Sequence, residues 1–233
     1  GAFGDPIDEN PSGAMMEAGF KSVGLDWRYQ LFRVPAAGLQ EGLNGIRAMG
    51  FSGLNLTIPH KIAAVPYMDG LSESAALIGA INTIMIKDGK LYGENTDGKG
   101  FIIGLRENGI SMSGKRIVIL GAGGAARAIS VECALAGAVQ LTIINRTEAK
   151  GRELAELIAK KTSCAAEFVH WTEKVRIPSC DILVNATNIG LYPDESLPDI
   201  DYESIDQNMV VQDIITNPAY TPFLQKVDRL GAH

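Results

Sequence analysis

Two hydrophobic periodicities alternate along the chain. From Ala14 to Val23 and from Leu39 to Met49, apolar residues recur at helical spacing, and Gly24 and Gly50 close the two runs. Between them, Asp26 to Val34 carries enough aromatic and β-branched residues for a strand, and Leu54 to Ile58 predicts another, ended by Pro59. A short helix carrying Lys61 follows, then a helix to Ile78 with Ser72 as its N-cap. Ile81–Ile86 and Lys90–Glu94 flank Asp88-Gly89, a pair that favours a tight hairpin turn. Gly98 to Asn108 reads as a helix, and Ile110 to Gly114 as a connection. Strand–helix–strand alternation implies a largely parallel sheet covered by helices.

The pattern changes after Lys115. Arg116–Leu120 is a short β-branched run, followed by Gly121, Gly123 and Ala126 in the spacing G-x-G-x-x-A, then by a helix to about Ala136 with Gly137 as its stop. Strand, tight turn and helix in that order form a dinucleotide-binding fingerprint, in which the turn and helix N-terminus receive a pyrophosphate. Residues Gly121, Ala122, Gly123, Gly124, Ala125 and Ala126 are therefore candidate cofactor contacts. The next strand, Gln140–Ile144, ends at Asn145-Arg146-Thr147, with Lys150 one turn on. A ribose 2′-hydroxyl usually meets an acidic residue here. A guanidinium without that carboxylate suits a 2′-phosphate, so the cofactor expected is NADP; the alternative is that Arg146 and Lys150 are solvated residues at a helix start. Glu148–Lys161 is a further helix, Ala165–His170, Asp181–Asn185 and Met209–Ile214 are strands, Pro193–Gln207 is loop, and Thr221–Leu230 is a last helix.

Composition narrows the function classes. At 233 residues with 46% hydrophobic content, the chain has the length of one large or two modest domains. A net charge of −6 and a pI near 5.1 argue against a nucleic-acid or polybasic membrane partner. Cys133, Cys164 and Cys180 are widely spaced and His60, His170 and His233 do not cluster with them, so neither a disulfide framework nor a metal is expected, and a reducing cytoplasm is. No signal peptide, spanning helix or internal repeat is expected.

Two polar segments stand out from this background. Asn55-Leu56-Thr57-Ile58-Pro59-His60-Lys61 places Asn55 and Thr57 on one strand face, with a lysine just past the strand end. Gly93-Glu94-Asn95-Thr96-Asp97-Gly98 sets four polar side chains between glycines. Separately, Lys61 reads as a solvated lysine and Asp97 as an N-cap. Taken in order with Gly4-Asp5-Pro6-Ile7, GAINT at Gly79–Thr83, VILGAGGAARA, INRT and NATNIGLYP at Asn185–Pro193, they resemble the shikimate dehydrogenase family (shikimate/quinate 5-dehydrogenases) over nearly the whole chain.

That resemblance implies an enzyme that reversibly reduces 3-dehydroshikimate to shikimate with NADP, on the route to chorismate and aromatic amino acids. It implies Lys61 and Asp97 as the catalytic pair, Asn10, Ser12, Thr57, Asn82 and Asn95 as substrate contacts, Thr187 and Asn188 near the nicotinamide half of the cofactor, and Ile214 as a further cofactor contact. The expected fold class is α/β in two domains: an N-terminal substrate domain to residue 98, a linker helix at 99–114, and a Rossmann-like doubly wound NADP domain from 115 to 233. The active site is expected in the cleft between them, and the molecule as a monomer or homodimer.

Departures from the family pattern are local. The loop usually written H-S-x-S-P is Glu9-Asn10-Pro11-Ser12-Gly13 here, with Asp8 and Glu9 adding negative charge, and Thr216 stands before Asn217-Pro218 where a tyrosine is usual. Quinate or an amino-substituted shikimate is therefore an alternative substrate, and a catalytically silent NADP-binding homologue an alternative role. The strand expected before Gly4 and a glutamine-bearing segment expected after Gly231-Ala232 are missing from the pattern, so the chain reads as clipped.

Overall fold

The computed structural model describes residues 1–8 and 10–232, in two compact units, Gly1–Thr96 and Asp97–His233. Glu9, whose charge the sequence adds to the Asn10 loop, and His233 lie outside the described residues.

The first unit contains β1 (Ala2–Gly4), α1 (Ser12–Ser22), β2 (Leu31–Arg33), α2 (Leu39–Ala48), β3 (Gly53–Leu56), α3 (His60–Ala63), β4 (Gly70–Leu71), α4 (Glu73–Ile78), β5 (Thr83–Lys87) and β6 (Lys90–Glu94). Its sheet has the order β2-β1-β3-β5-β6-β4. β1 runs parallel to both β2 and β3, whereas β5 is antiparallel to β3 and to β6. The sheet is thus mixed. The hairpin turn forms at Asp88 and Gly89, both at positive φ (53° and 71°). In β3, Leu54 and Leu56 are buried while Asn55 points to the other face, the two-residue period of a strand with one apolar side. Phe3, Leu43, Ile46, Leu54, Leu56, Ile81, Ile84 and Leu91 form the core.

Two expectations for this unit are corrected. A strand does precede Gly4: β1 is three residues long, too short to show a period in the sequence. The strand expected over Asp26–Val34 is confined to Leu31–Arg33, because only there does the chain pair with β1.

The second unit contains α5 (Asp97–Glu107), β7 (Arg116–Leu120), α6 (Gly124–Leu135), β8 (Gln140–Asn145), α7 (Glu148–Lys161), β9 (Ala165–His170), β10 (Val175–Arg176), β11 (Ile182–Asn185), β12 (Ile200–Asp201), β13 (Val210–Asp213) and α8 (Pro222–Asp228). Five of its strands form an all-parallel sheet in the order β13-β11-β7-β8-β9. Connections run outward in both directions from β7, the doubly wound arrangement whose ligand crevice lies at the carboxyl ends of the strands. Ile117–Leu120, Leu141–Ile144 and Ile182–Asn185 are buried without alternation, as expected when helices cover both faces. The segment 193–207 is not wholly loop, since β12 pairs with β10 and a 3₁₀ turn covers Tyr202–Ser204. Dipeptide strands of this kind carry no periodic signal. Among the described residues, no helix is long and apolar enough to cross a membrane.

Candidate active site

In the first unit, four separate segments deliver polar groups to one end of the sheet. β3 stops at Leu56, whose N–H donates to the Asn82 carbonyl (2.8 Å), so Thr57 follows directly beyond the strand. Gly4 makes room for it: a Cβ there would lie 2.4 Å from the Thr57 Cγ2. The helix α3 then begins at His60, which is fully buried and donates from Nε2 to the Val34 carbonyl (2.8 Å). That anchor presents the neighbouring Lys61, and the Lys61 carbonyl accepts the Ile81 N–H (2.8 Å), tying α3 to the segment that carries Asn82.

Asn82 is the hub of this end. Its Oδ1 accepts the Thr96 N–H (2.9 Å) and the hydroxyls of Thr83 and Thr96 (both 3.1 Å). Asn55 donates to the Asn82 carbonyl (3.2 Å) and to Thr83 (3.0 Å), and accepts from the Tyr29 hydroxyl (2.8 Å). Asn95 is buried and donates to the Ala80 carbonyl (3.1 Å), while Glu94 accepts from Ser72 (2.6 Å) and from the Asn95 N–H (2.8 Å). Buried amides are held in one orientation when each atom has its partner, which suits groups that must meet a polyhydroxylated ligand.

At the same end of the sheet, past the carboxyl end of β1, where the Asp5 N–H donates to the Ile58 carbonyl (2.9 Å), Asn10 accepts the Ser12 N–H at its Oδ1 (2.9 Å), just where α1 begins. The carbonyl oxygen of the amide is thus engaged in a local turn, and the Nδ2 group is its donor. Arg33 pairs with Asp5 at 2.8 Å, and Asp5 and then Asp8 hold its guanidinium above the ordinary value. The loop around Asn10 is therefore acidic, with its nearby cation neutralised.

In the second unit, Asp97 is the first residue of α5 and not its N-cap. Gly98, the next residue, packs on α6 so closely that a Cβ would sit 2.4 Å from the Ala128 carbonyl oxygen. The glycine turn stands where the fingerprint predicts. Gly121 has φ +107°, and a Cβ would meet the Ala186 carbonyl at 2.9 Å and Thr187 Cγ2 at 3.2 Å, so only glycine fits. Gly123 caps α6 without a side-chain hydrogen bond, and the positions around Gly123 and Gly124 are open. Ala126 is fully buried against the sheet. Backbone N–H groups at an open helix start fit a pyrophosphate.

The remaining cofactor candidates lie at the carboxyl ends of parallel strands of one sheet: Asn145 closing β8 with Arg146 and Thr147 after it, Thr187 and Asn188 after β11, and Ile214 after β13. Arg146 and Lys150 are exposed, and Asn145 donates to the Thr147 carbonyl (2.8 Å). A cavity of about 570 Å³ opens at this edge, lined by Arg146, Trp171, Asn188, Ile189, Asp194 and Ser196 among others. Trp171 and the 194–196 turn were not singled out in the sequence; nothing in their spacing points to a site. Among the described residues, no group of three or more His, Cys, Asp or Glu side chains could hold a metal ion.

A doubly wound dinucleotide fold following an α/β unit with a polar, amide-rich end defines a nucleotide-dependent oxidoreductase architecture. Comparison with known proteins narrows this. Residues 2–84 match the model of the shikimate dehydrogenase substrate binding domain, and residues 105–216 match that of shikimate / quinate 5-dehydrogenase. The shikimate dehydrogenase (NADP(+)) of Nitrosopumilus maritimus is 42% identical over 232 residues, covering 99% of this chain and 84% of its own. Among solved structures, the ligand-free 5-ketofructose reductase of Gluconobacter sp. strain CHM43 is 46% identical with a TM-score of 0.95, covering 99% of this chain and 83% of its own. The shikimate 5-dehydrogenase of Listeria monocytogenes, in complex with shikimate and NAD, is 32% identical with a TM-score of 0.93, covering 100% and 83%. The chain belongs to the shikimate dehydrogenase family.

Proposed function

We propose that this chain is an NADP-dependent dehydrogenase interconverting 3-dehydroshikimate and shikimate, a cytoplasmic step toward chorismate and aromatic amino acids. The observation that carries this reading is the family match through both units, joined to an Asn82-centred polar end beside Lys61. When bound, the nicotinamide supplies or accepts the hydride. Lys61 donates a proton to the oxygen that gains charge as the ketone is reduced, and Asp97 is the second member of the catalytic pair that the family resemblance implies. Thr57, Asn82 and Asn95 orient ring hydroxyls, and Asn10 and Ser12 meet the far end of the substrate.

Gly121 to Ala126 receive the pyrophosphate on backbone N–H groups. Arg146, with Asn145, Thr147 and Lys150, holds the adenosine 2′-phosphate. Thr187, Asn188 and Ile214 flank the nicotinamide half. Three free, buried cysteines fit a reducing compartment.

One observation favours a second reading. The 46% identity to a 5-ketofructose reductase coincides with an acidic loop and an amide at Asn10, which suit an uncharged polyol ketone better than a carboxylate. A steady-state panel tests both: oxidation of shikimate, quinate and an aminoshikimate with NADP⁺ or NAD⁺, and reduction of 5-ketofructose with NADPH. Shikimate turnover exceeding the others with NADP⁺ upholds the first reading. Turnover of 5-ketofructose alone replaces it with the second, and cofactor binding with no turnover identifies a silent homologue.

A further inference from the structure

A chain of buried polar groups lies beneath the carboxyl ends of β11 and β13. Asn185, the last residue of β11, is fully buried; its Oδ1 accepts both the Thr187 hydroxyl (2.7 Å) and the Thr187 N–H (3.2 Å). Its Nδ2 donates to Asp213 Oδ1 (3.1 Å), at the end of β13. The same Asp213 oxygen accepts the Ile215 N–H (3.1 Å), and Oδ2 accepts the hydroxyl of Thr221 (2.8 Å). Thr221 is itself fully buried and caps α8 by accepting the Leu224 N–H (3.2 Å). The Thr187 hydroxyl passes the order onward by accepting the Ile189 N–H (3.1 Å).

This arrangement ties together two loops, which also meet where the Tyr192 N–H donates to the Asn217 carbonyl (3.0 Å). One, Ala186–Gly190, lies against Gly121 of the glycine turn; the other, Ile214–Thr221, leads into α8. Burial pushes the Asp213 carboxyl up, while the bonds from Thr221, Ile215 and Asn185 pull it back down. A carboxylate here offers two acceptor oxygens to three donors, and no neutral side chain of its size does so.

We propose that Asp213, acting through Asn185 and Thr221, is a positioning residue that sets the two loops carrying Thr187, Asn188 and Ile214 for the nicotinamide half of the cofactor. The inference rests on the cofactor reading above. Its consequence is selective: losing the carboxylate disturbs the nicotinamide side, while the adenosine side, held by the glycine turn and Arg146, keeps its geometry.

Calorimetry with two probes tests it, NADP⁺ and adenosine 2′,5′-bisphosphate, which lacks the nicotinamide half. Asp213→Ala is expected to weaken NADP⁺ at least about tenfold and the bisphosphate less than about twofold, with Asp213→Asn recovering part of the loss because one acceptor remains. Thr221→Val, a near-isosteric change that keeps the carboxylate, is expected to show the same selectivity to a smaller degree, and it carries the test should the alanine variant not fold. Equal weakening of both probes, or none, in the folded variants overturns the positioning role while leaving the cofactor reading intact. Failure of the unaltered protein to bind either probe overturns the cofactor reading and this inference with it.

Discussion

In the first unit, Thr57, Lys61, Asn82 and Asn95 come from segments up to 38 positions apart, and side-chain hydrogen bonds gather Thr83, Thr96 and Asn55 on Asn82. In the second, Gly121 to Ala126 are contiguous, and their geometry is set by backbone conformation and by the absence of side chains. One end is built to fix the directions of amides and hydroxyls, the other to bring N–H groups close to an anion. The first tolerates little loss of a polar partner; the second tolerates little added bulk.

The comparison can be broken experimentally, starting where the effect is largest. Lys61→Ala is expected to lower kcat by at least about 100-fold, the usual scale for losing an acid–base group, with cofactor affinity little changed. A variant with near-normal kcat removes Lys61 from the chemistry. Gly98→Ala tests the bulk limit: with 2.4 Å to the Ala128 carbonyl oxygen, α5 must move off α6, and urea titration should show a loss of about 1–3 kcal/mol. Arg146→Ala should weaken NADP⁺ by about tenfold, roughly 1.4 kcal/mol, and NAD⁺ much less, as read by KM for each. Equal losses would return Arg146 to the role of a solvated surface residue. The smallest effect sharpens the second: Gly100→Ala, on the same helix with open space around it, should stabilise by about 0.5–1 kcal/mol. A shared sign for the two glycine substitutions would mean that helix propensity, and not close approach, governs α5.

Legibility followed the same division. The strand, glycine turn and helix from Arg116 to Leu135 are continuous in sequence, so local rules found them with bounds close to those observed. Ser72 accepts the Ala75 N–H (3.2 Å), as an N-cap should. Asp97, by contrast, has the composition of a cap yet occupies the first turn of α5. The short pieces β1, β10 and β12 escaped, since strands of two or three residues owe their existence to a neighbour, as Ala2–Gly4 does to β2 and β3.

The sequence by itself determined the order of the longer elements, the dinucleotide fingerprint, and the resemblance that singled out Lys61 and Asp97, because each of these is written in near-neighbour spacing or in a contiguous motif. Only the tertiary structure decided that Asn82 would be the hub for Thr83, Thr96 and Asn55, that Gly98 must be bare because α6 passes within contact, and that Asp213 joins Asn185 to Thr221. Those are meetings of residues that a strand pairing or a helix crossing brings together, and hydrogen bonds between them depend on positions in space that no local pattern encodes.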